Sequence, residues 1–141
     1  RSIDWNVTAR MNRPYVKEFE EERELQIFLI VDSSDSMQIK TESKRTKYHC
    51  AAESAALVSI AAEMNACPIG GVFFDGQIHF SAKQTLGREQ TMLLLTHLDN
   101  LPEKHVKGSV LANALNGAGK LLKKRSMVFV FSDFSFAFIK I

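Results

Sequence analysis

Three short polar clusters hold the residues of this sequence best suited to chemistry. In the first, Asp32-Ser33-Ser34-Asp35-Ser36, the side chains of Asp32, Ser34 and Ser36 stand two residues apart. An extended or looping backbone turns alternate side chains to one side, so three oxygens can meet at one point. The second cluster is Ser109 in Lys107-Gly108-Ser109, and the third is Asp133 in Ser132-Asp133. Carboxylates and hydroxyls are hard oxygen donors, the kind that magnesium, manganese and calcium prefer. Two carboxylates and three neutral hydroxyls fill a coordination shell only partly, leaving room for water and one outside ligand. Because three of the five donors are neutral, the ion keeps net positive charge. It would receive a carboxylate offered by another molecule.

Plainer readings compete with this one. Serine and aspartate after a strand are common turn and capping residues, and Ser109 alone reads as an ordinary helix N-cap. The Asp32 cluster resists that reading, because five polar residues in the six from Asp32 to Met37 serve no core. The acidic run Glu18, Glu20, Glu21, Glu22, Glu24 reads as a solvated loop rather than a metal site. His49, His79, His97 and His105 show neither triad nor zinc spacing and read as surface residues. Cys50 and Cys67 lack any CxxC pattern and sit in apolar surroundings. They read as buried free thiols in a reducing compartment.

The elements that must position these clusters follow from periodicity. Leu25, Gln26, Ile27, Phe28, Leu29, Ile30 and Val31 form a near-continuous apolar run, the pattern of a central strand covered on both faces. Ligands of open α/β sheets gather just beyond the carboxyl ends of such strands, where the Asp32 cluster stands. An alanine-rich helix is predicted over 47–65, then a strand over 68–74. Asp75-Gly76 is a two-residue hairpin signal leading to an antiparallel strand over 77–80. A helix over 89–98 and a loop over 101–108 precede a third helix opened by Ser109. Leu111, Leu115, Ala118 and Leu122 recur along it at helical spacing. A last apolar strand over 127–131 ends in Ser132-Asp133. The alternation gives an α/β fold with a doubly wound, mostly parallel sheet and one antiparallel hairpin strand. Residues 1–24 read as an N-terminal arm with a short strand from Tyr15 to Phe19, and 25–141 as the domain proper.

Bulk properties narrow the function. A chain of 141 residues with 45% hydrophobic side chains makes one domain with a real core. The net charge of +2 is too small to imply a polyanion partner. The basic clusters Lys44-Arg45-Thr46-Lys47 and Lys120, Lys123, Lys124, Arg125 have no aromatic residues interleaved, so nucleic acid is not the expected partner. No apolar stretch approaches the roughly 20 residues that span a bilayer, and no signal peptide is visible. A cytoplasmic location is expected, with membrane association only through segments outside this sequence.

Asp32-x-Ser34-x-Ser36 resembles the DxSxS signature that opens the metal-ion-dependent adhesion site of the von Willebrand factor A-like fold. Arg1-x-Ile3-Asp4-Trp5, Thr8-Ala9-Arg10, Tyr15-Val16-Lys17, Phe19-Glu20-x-Glu22-Arg23 and Ser132-Asp133-Phe134 resemble, in the same order, the bacterial family catalogued as domain of unknown function fifty-eight. The resemblance implies a doubly wound sheet with a divalent cation, Mg2+ or alternatively Mn2+ or Ca2+, at its top. Asp32, Ser34 and Ser36 match the first metal loop and Asp133 the third. Ser109 stands where the second loop normally supplies threonine; it keeps the hydroxyl but lacks the methyl that restricts the rotamer. The fold usually continues beyond the fourth strand, so the resemblance implies a domain trimmed at its C-terminus. Phe134, Phe136, Phe138 and Ile139 would then form an improvised last segment, prone to pairing with another chain.

The function expected from this pattern is a non-enzymatic interaction module that captures a partner carboxylate through its cation. The resemblance adds a MoxR-type AAA+ ATPase as the protein it serves. A magnesium-dependent phosphotransferase or phosphatase using Asp32 as phosphoryl acceptor is the alternative. Against it, Ser34 stands where the haloacid-dehalogenase pattern requires a second aspartate, and no glycine loop with a lysine is present to cradle phosphate. A serine hydrolase would need a Gly-x-Ser-x-Gly elbow, which neither serine loop has.

Overall fold

The computed structural model describes residues 25–40, 42–102, 105–122 and 125–134. The expected N-terminal arm and the segment from Phe136 to Ile139 lie outside the described residues. Strand β1 (Gln26–Asp32) is buried along its whole length, as its unbroken apolar run demands. A short 3-10 turn (Asp35–Gln38) follows it, then helix α1 (Lys47–Met64). Next come β2 (Ile69–Phe74), β3 (Ile78–Thr85), α2 (Arg88–Asp99), α3 (Leu111–Leu121) and β4 (Ser126–Phe131). The sheet order is β3-β2-β1-β4. β1 runs parallel to both β2 and β4, while β3 pairs antiparallel with β2.

Alternation along β1 divides the core in two. Ile27, Leu29 and Val31 point to one face, where they meet Tyr48, Ala51, Ala55 and Ala62 of α1 and Leu94 and Leu98 of α2. Phe28 and Ile30 point to the other, against Leu111, Ala114 and Ala118 of α3. Helices therefore cover both faces, and the sheet is doubly wound. The alanines of α1 let the helix lie close to the sheet. Thr46 caps it, its hydroxyl accepting from the His49 amide at 2.9 Å.

Several expectations need correction. Ser109 does not open the third helix: the N-cap of α3 is Val110, and it has no side-chain cap bond. The buried stripe of α3 is Leu111, Ala114 and Ala118, whereas Leu115 is exposed. α3 begins one residue later than a Ser109 cap would set it. The Asp75-Gly76 hairpin spans three residues rather than two, since Phe74 pairs with Ile78. Its loop is held by the Asp75 carboxylate, which accepts the Gln77 amide at 3.1 Å. β3 then runs on to Thr85, five residues past the expected end. Its sequence alternates poorly, but pairing with β2 carries it further. Cys50 is exposed, on the face of α1 turned from the sheet, and Cys67, in the loop after α1, is only partly covered against the core; both are free thiols. The histidines are not uniformly superficial, as described below. No helix among the described residues is long and apolar enough to cross a membrane.

Candidate functional site

Register fixes the site. In the parallel pairing of β1 with β4, Val31 lies opposite Phe131, so the next residues, Asp32 and Ser132, emerge side by side. In the pairing of β1 with β2, Asp32 lies opposite Phe74, so Asp75 emerges at the same sheet edge. α1 leaves β1 on one face and α3 covers the other, so this edge is the topological switch point where α/β sheets place ligands.

Asp32 is fully buried. Its Oδ1 accepts the Ser34 amide at 2.8 Å, and its Oδ2 accepts the Ser132 hydroxyl at 2.7 Å. These two bonds hold the carboxylate in one rotamer and bind the β1 loop to the β4 loop. Ser33 points the other way, its hydroxyl donating to the Phe74 carbonyl at 3.1 Å. Ser34 caps the 3-10 turn through backbone shape alone, without a side-chain cap bond. Ser36 donates to Asp133 Oδ1 at 3.0 Å, across 97 positions of sequence. Lys47, the first residue of α1, reaches Asp133 Oδ2 at 3.0 Å. These bonds join Asp32 to the Ser34 amide and to Ser132, and Ser36 to Asp133.

Ser109 reaches the same edge by a different route. The Asp75 carbonyl accepts the Val110 amide at 2.9 Å, which pins the start of α3 beside the end of β2. Gly108 allows the turn before it, with φ of +100°. The Ser109 hydroxyl is buried and, among the described residues, makes no hydrogen bond. An orphaned buried hydroxyl costs free energy, so a ligand there would satisfy it.

Four further side chains at this edge are not marked by the sequence pattern. Ser132 and Lys47 serve the two site carboxylates. Asp75 and His105 brace the loop that carries Ser109. Asp75 is fully buried; the Gln77 amide and His79 Nε2 (2.6 Å) bond to its Oδ1 and the Val106 amide (3.1 Å) to its Oδ2, and His105 Nδ1 lies 3.0 Å from Oδ2 as an ion-pair contact. Burial by itself would push its pKa up, but the Val106 and Gln77 amides and His79 outweigh that and hold it below the usual carboxylate value. His105 then reaches Asp35 Oδ1 at 2.5 Å through its other nitrogen, tying the Asp75 loop to the Asp32 loop. The signal for Asp75 is its place after a buried strand, the same place that singles out Asp32 and Asp133, but Asp75-Gly76 also has the composition of a turn.

The donor set suits a hard cation in kind. Asp32, Asp133 and the hydroxyls of Ser34 and Ser36 are all oxygen donors, and the Ser109 hydroxyl lacks a partner. Among the described residues, no group of three or more His, Cys, Asp or Glu side chains gathers in a way that could hold a metal ion. A cation here would lean on hydroxyls and water. Beside Asp133 lies a cleft of about 380 Å³ lined by Met37, Lys47, Ala51, Val130, Phe131 and Ser132 among others.

The profile of the protein family of unknown function DUF58 matches residues 1–137. The chain belongs to the DUF58 family. Relatives of this DUF58 chain include the uncharacterized protein Mb1516 of Mycobacterium bovis and the uncharacterized protein Rv1480 of Mycobacterium tuberculosis. Each is 28% identical over 136 residues, which covers 95% of this chain. The DUF58 chain spans 42% of the length of these curated relatives.

Proposed function

We propose that this DUF58 chain is a non-enzymatic interaction module of the von Willebrand factor A-like type, whose bound divalent cation captures an acidic side chain of a partner protein. One observation carries the reading: the loops after β1 and β4 meet at the switch point, with Ser36 bonded to Asp133 at 3.0 Å and Ser132 bonded to Asp32 at 2.7 Å. Asp32, Ser34, Ser36 and Asp133 would hold the cation, and Ser109 would supply a further hydroxyl. Magnesium or manganese would bring positive charge for a partner carboxylate. The cleft beside Asp133 gives that partner a place to approach. The resemblance drawn from the sequence makes a MoxR-type AAA+ ATPase the proposed partner.

The geometry favours binding over turnover. Asp32 is fully buried with both oxygens engaged, a poor state for a phosphoryl acceptor. The test is a pull-down with the full chain in magnesium and again in chelator, beside thermal melts with each ion. Magnesium or manganese should raise the melting temperature, and Asp32→Ala should abolish the rise. A melting curve indifferent to every divalent ion sinks the proposal.

A further inference from the structure

We infer that Lys47 is the resident counter-ion of this site and lowers its affinity for a divalent cation by competing for Asp133. The inference rests on the cation-binding reading above and assigns the residue that tunes it. The ammonium of Lys47 lies 3.0 Å from Asp133 Oδ2, while Ser36 holds Oδ1 at the same distance. Lys47 is the first residue of α1, and the Thr46 cap next to it fixes its backbone. The ion pair is therefore built into the helix start.

The two partners differ in cover. The Asp133 side chain is 14% exposed and that of Lys47 is 42% exposed. The ammonium is the more accessible member and lines the open cleft, so it can leave Asp133 without disturbing the core. Ser36 would still hold the carboxylate when it does. A divalent ion sharing Asp133 with an ammonium meets like charge at close range. It must either displace the lysine or bear the repulsion, and both lower affinity. Deleting that single positive charge beside a doubly charged ion at a partly covered site should tighten binding by on the order of tenfold.

The test measures magnesium and manganese binding to the full chain by calorimetry, alongside thermal melts with and without the ion. Lys47→Met removes the charge but keeps the apolar stem that packs at the helix start. Lys47→Arg keeps the charge. Circular dichroism confirms that each variant is folded. The expected result is about tenfold tighter binding by Lys47→Met and a larger ion-induced rise in its melting temperature, with Lys47→Arg binding no tighter than wild type. A wild type silent to both ions, whether or not Lys47→Met binds, overturns the inference together with the cation reading. If wild type binds and Lys47→Met binds no tighter, lysine orients Asp133 rather than competing for it, and the inference falls while the cation reading stands. If neither protein binds magnesium or manganese, both fall together.

Discussion

Asp75→Asn changes one atom at the point where three loops are joined, and its effect can be worked out bond by bond. The wild-type carboxylate is bonded by Gln77 and His79 on one oxygen and by Val106 on the other, where His105 stands in ion-pair contact. The amide keeps one accepting oxygen and turns its NH2 either toward the Gln77 amide and His79 or toward the Val106 amide and His105, whose imidazoles are partly exposed. An unsatisfied buried donor costs about 1–3 kcal/mol; with one of each pair an imidazole that reaches solvent, the penalty is about 1–3 kcal/mol. For a domain of this size that lowers the melting temperature by several degrees. The pH dependence gives a sharper check. Asp75 is held below the ordinary carboxylate value, so its contribution is fully present above the unfolded pKa of about 3.9 and is lost as pH falls through the lower folded value. Urea unfolding of wild type and Asp75→Asn should therefore differ by the full penalty at about pH 7 and by clearly less at about pH 2. A penalty below about 1 kcal/mol, or one that is the same at both pH values, refutes the view that this carboxylate works as an ionised anchor.

Two further outcomes test neighbouring parts of the same frame. Gly76→Ala would place a Cβ 2.1 Å from the Lys107 carbonyl oxygen, so the Ser109-bearing loop must shift. Thermal melts should show a loss of about 1–3 kcal/mol. Tyr48 donates to the Leu98 carbonyl at 2.6 Å, and burial, aided by Asp99, pushes its phenol pKa up to about 12. Its stabilisation is present below the ordinary phenol value of 10.0 and is lost as pH rises toward about 12. Tyr48→Phe should cost about 1 kcal/mol at neutral pH and should show a flatter stability profile across that alkaline range. Chemical unfolding across that range reads both effects.

What was legible in the sequence depended on how locally each signal was written. β1 announced itself because burial on both faces leaves no polar position to blur the run from Ile27 to Val31. α1 was equally clear, with Thr46 before it and alanines throughout. The start of α3 was misplaced because Ser109 has the composition of a cap, while the carbonyl that anchors Val110 belongs to Asp75, 35 positions upstream. β3 was cut short for a related reason: a weakly alternating strand is sustained by its partner more than by its own residues. The histidines were misjudged because no sequence interval reveals that His79 and His105 share one carboxylate.

The sequence by itself determined the alternation of strands and helices and the identity of the oxygen-bearing residues at the strand ends. Hydrophobic period and turn chemistry are properties of neighbours along the chain, so they can be read without coordinates. The tertiary structure alone decided which strand ends lie together. The register of β1 against β4 sets Asp32 beside Ser132, and the start of α1 sets Lys47 against Asp133. Those meetings join residues 86 and 100 positions apart. They arise from sheet pairing and helix packing, which depend on the whole fold rather than on any one segment of it.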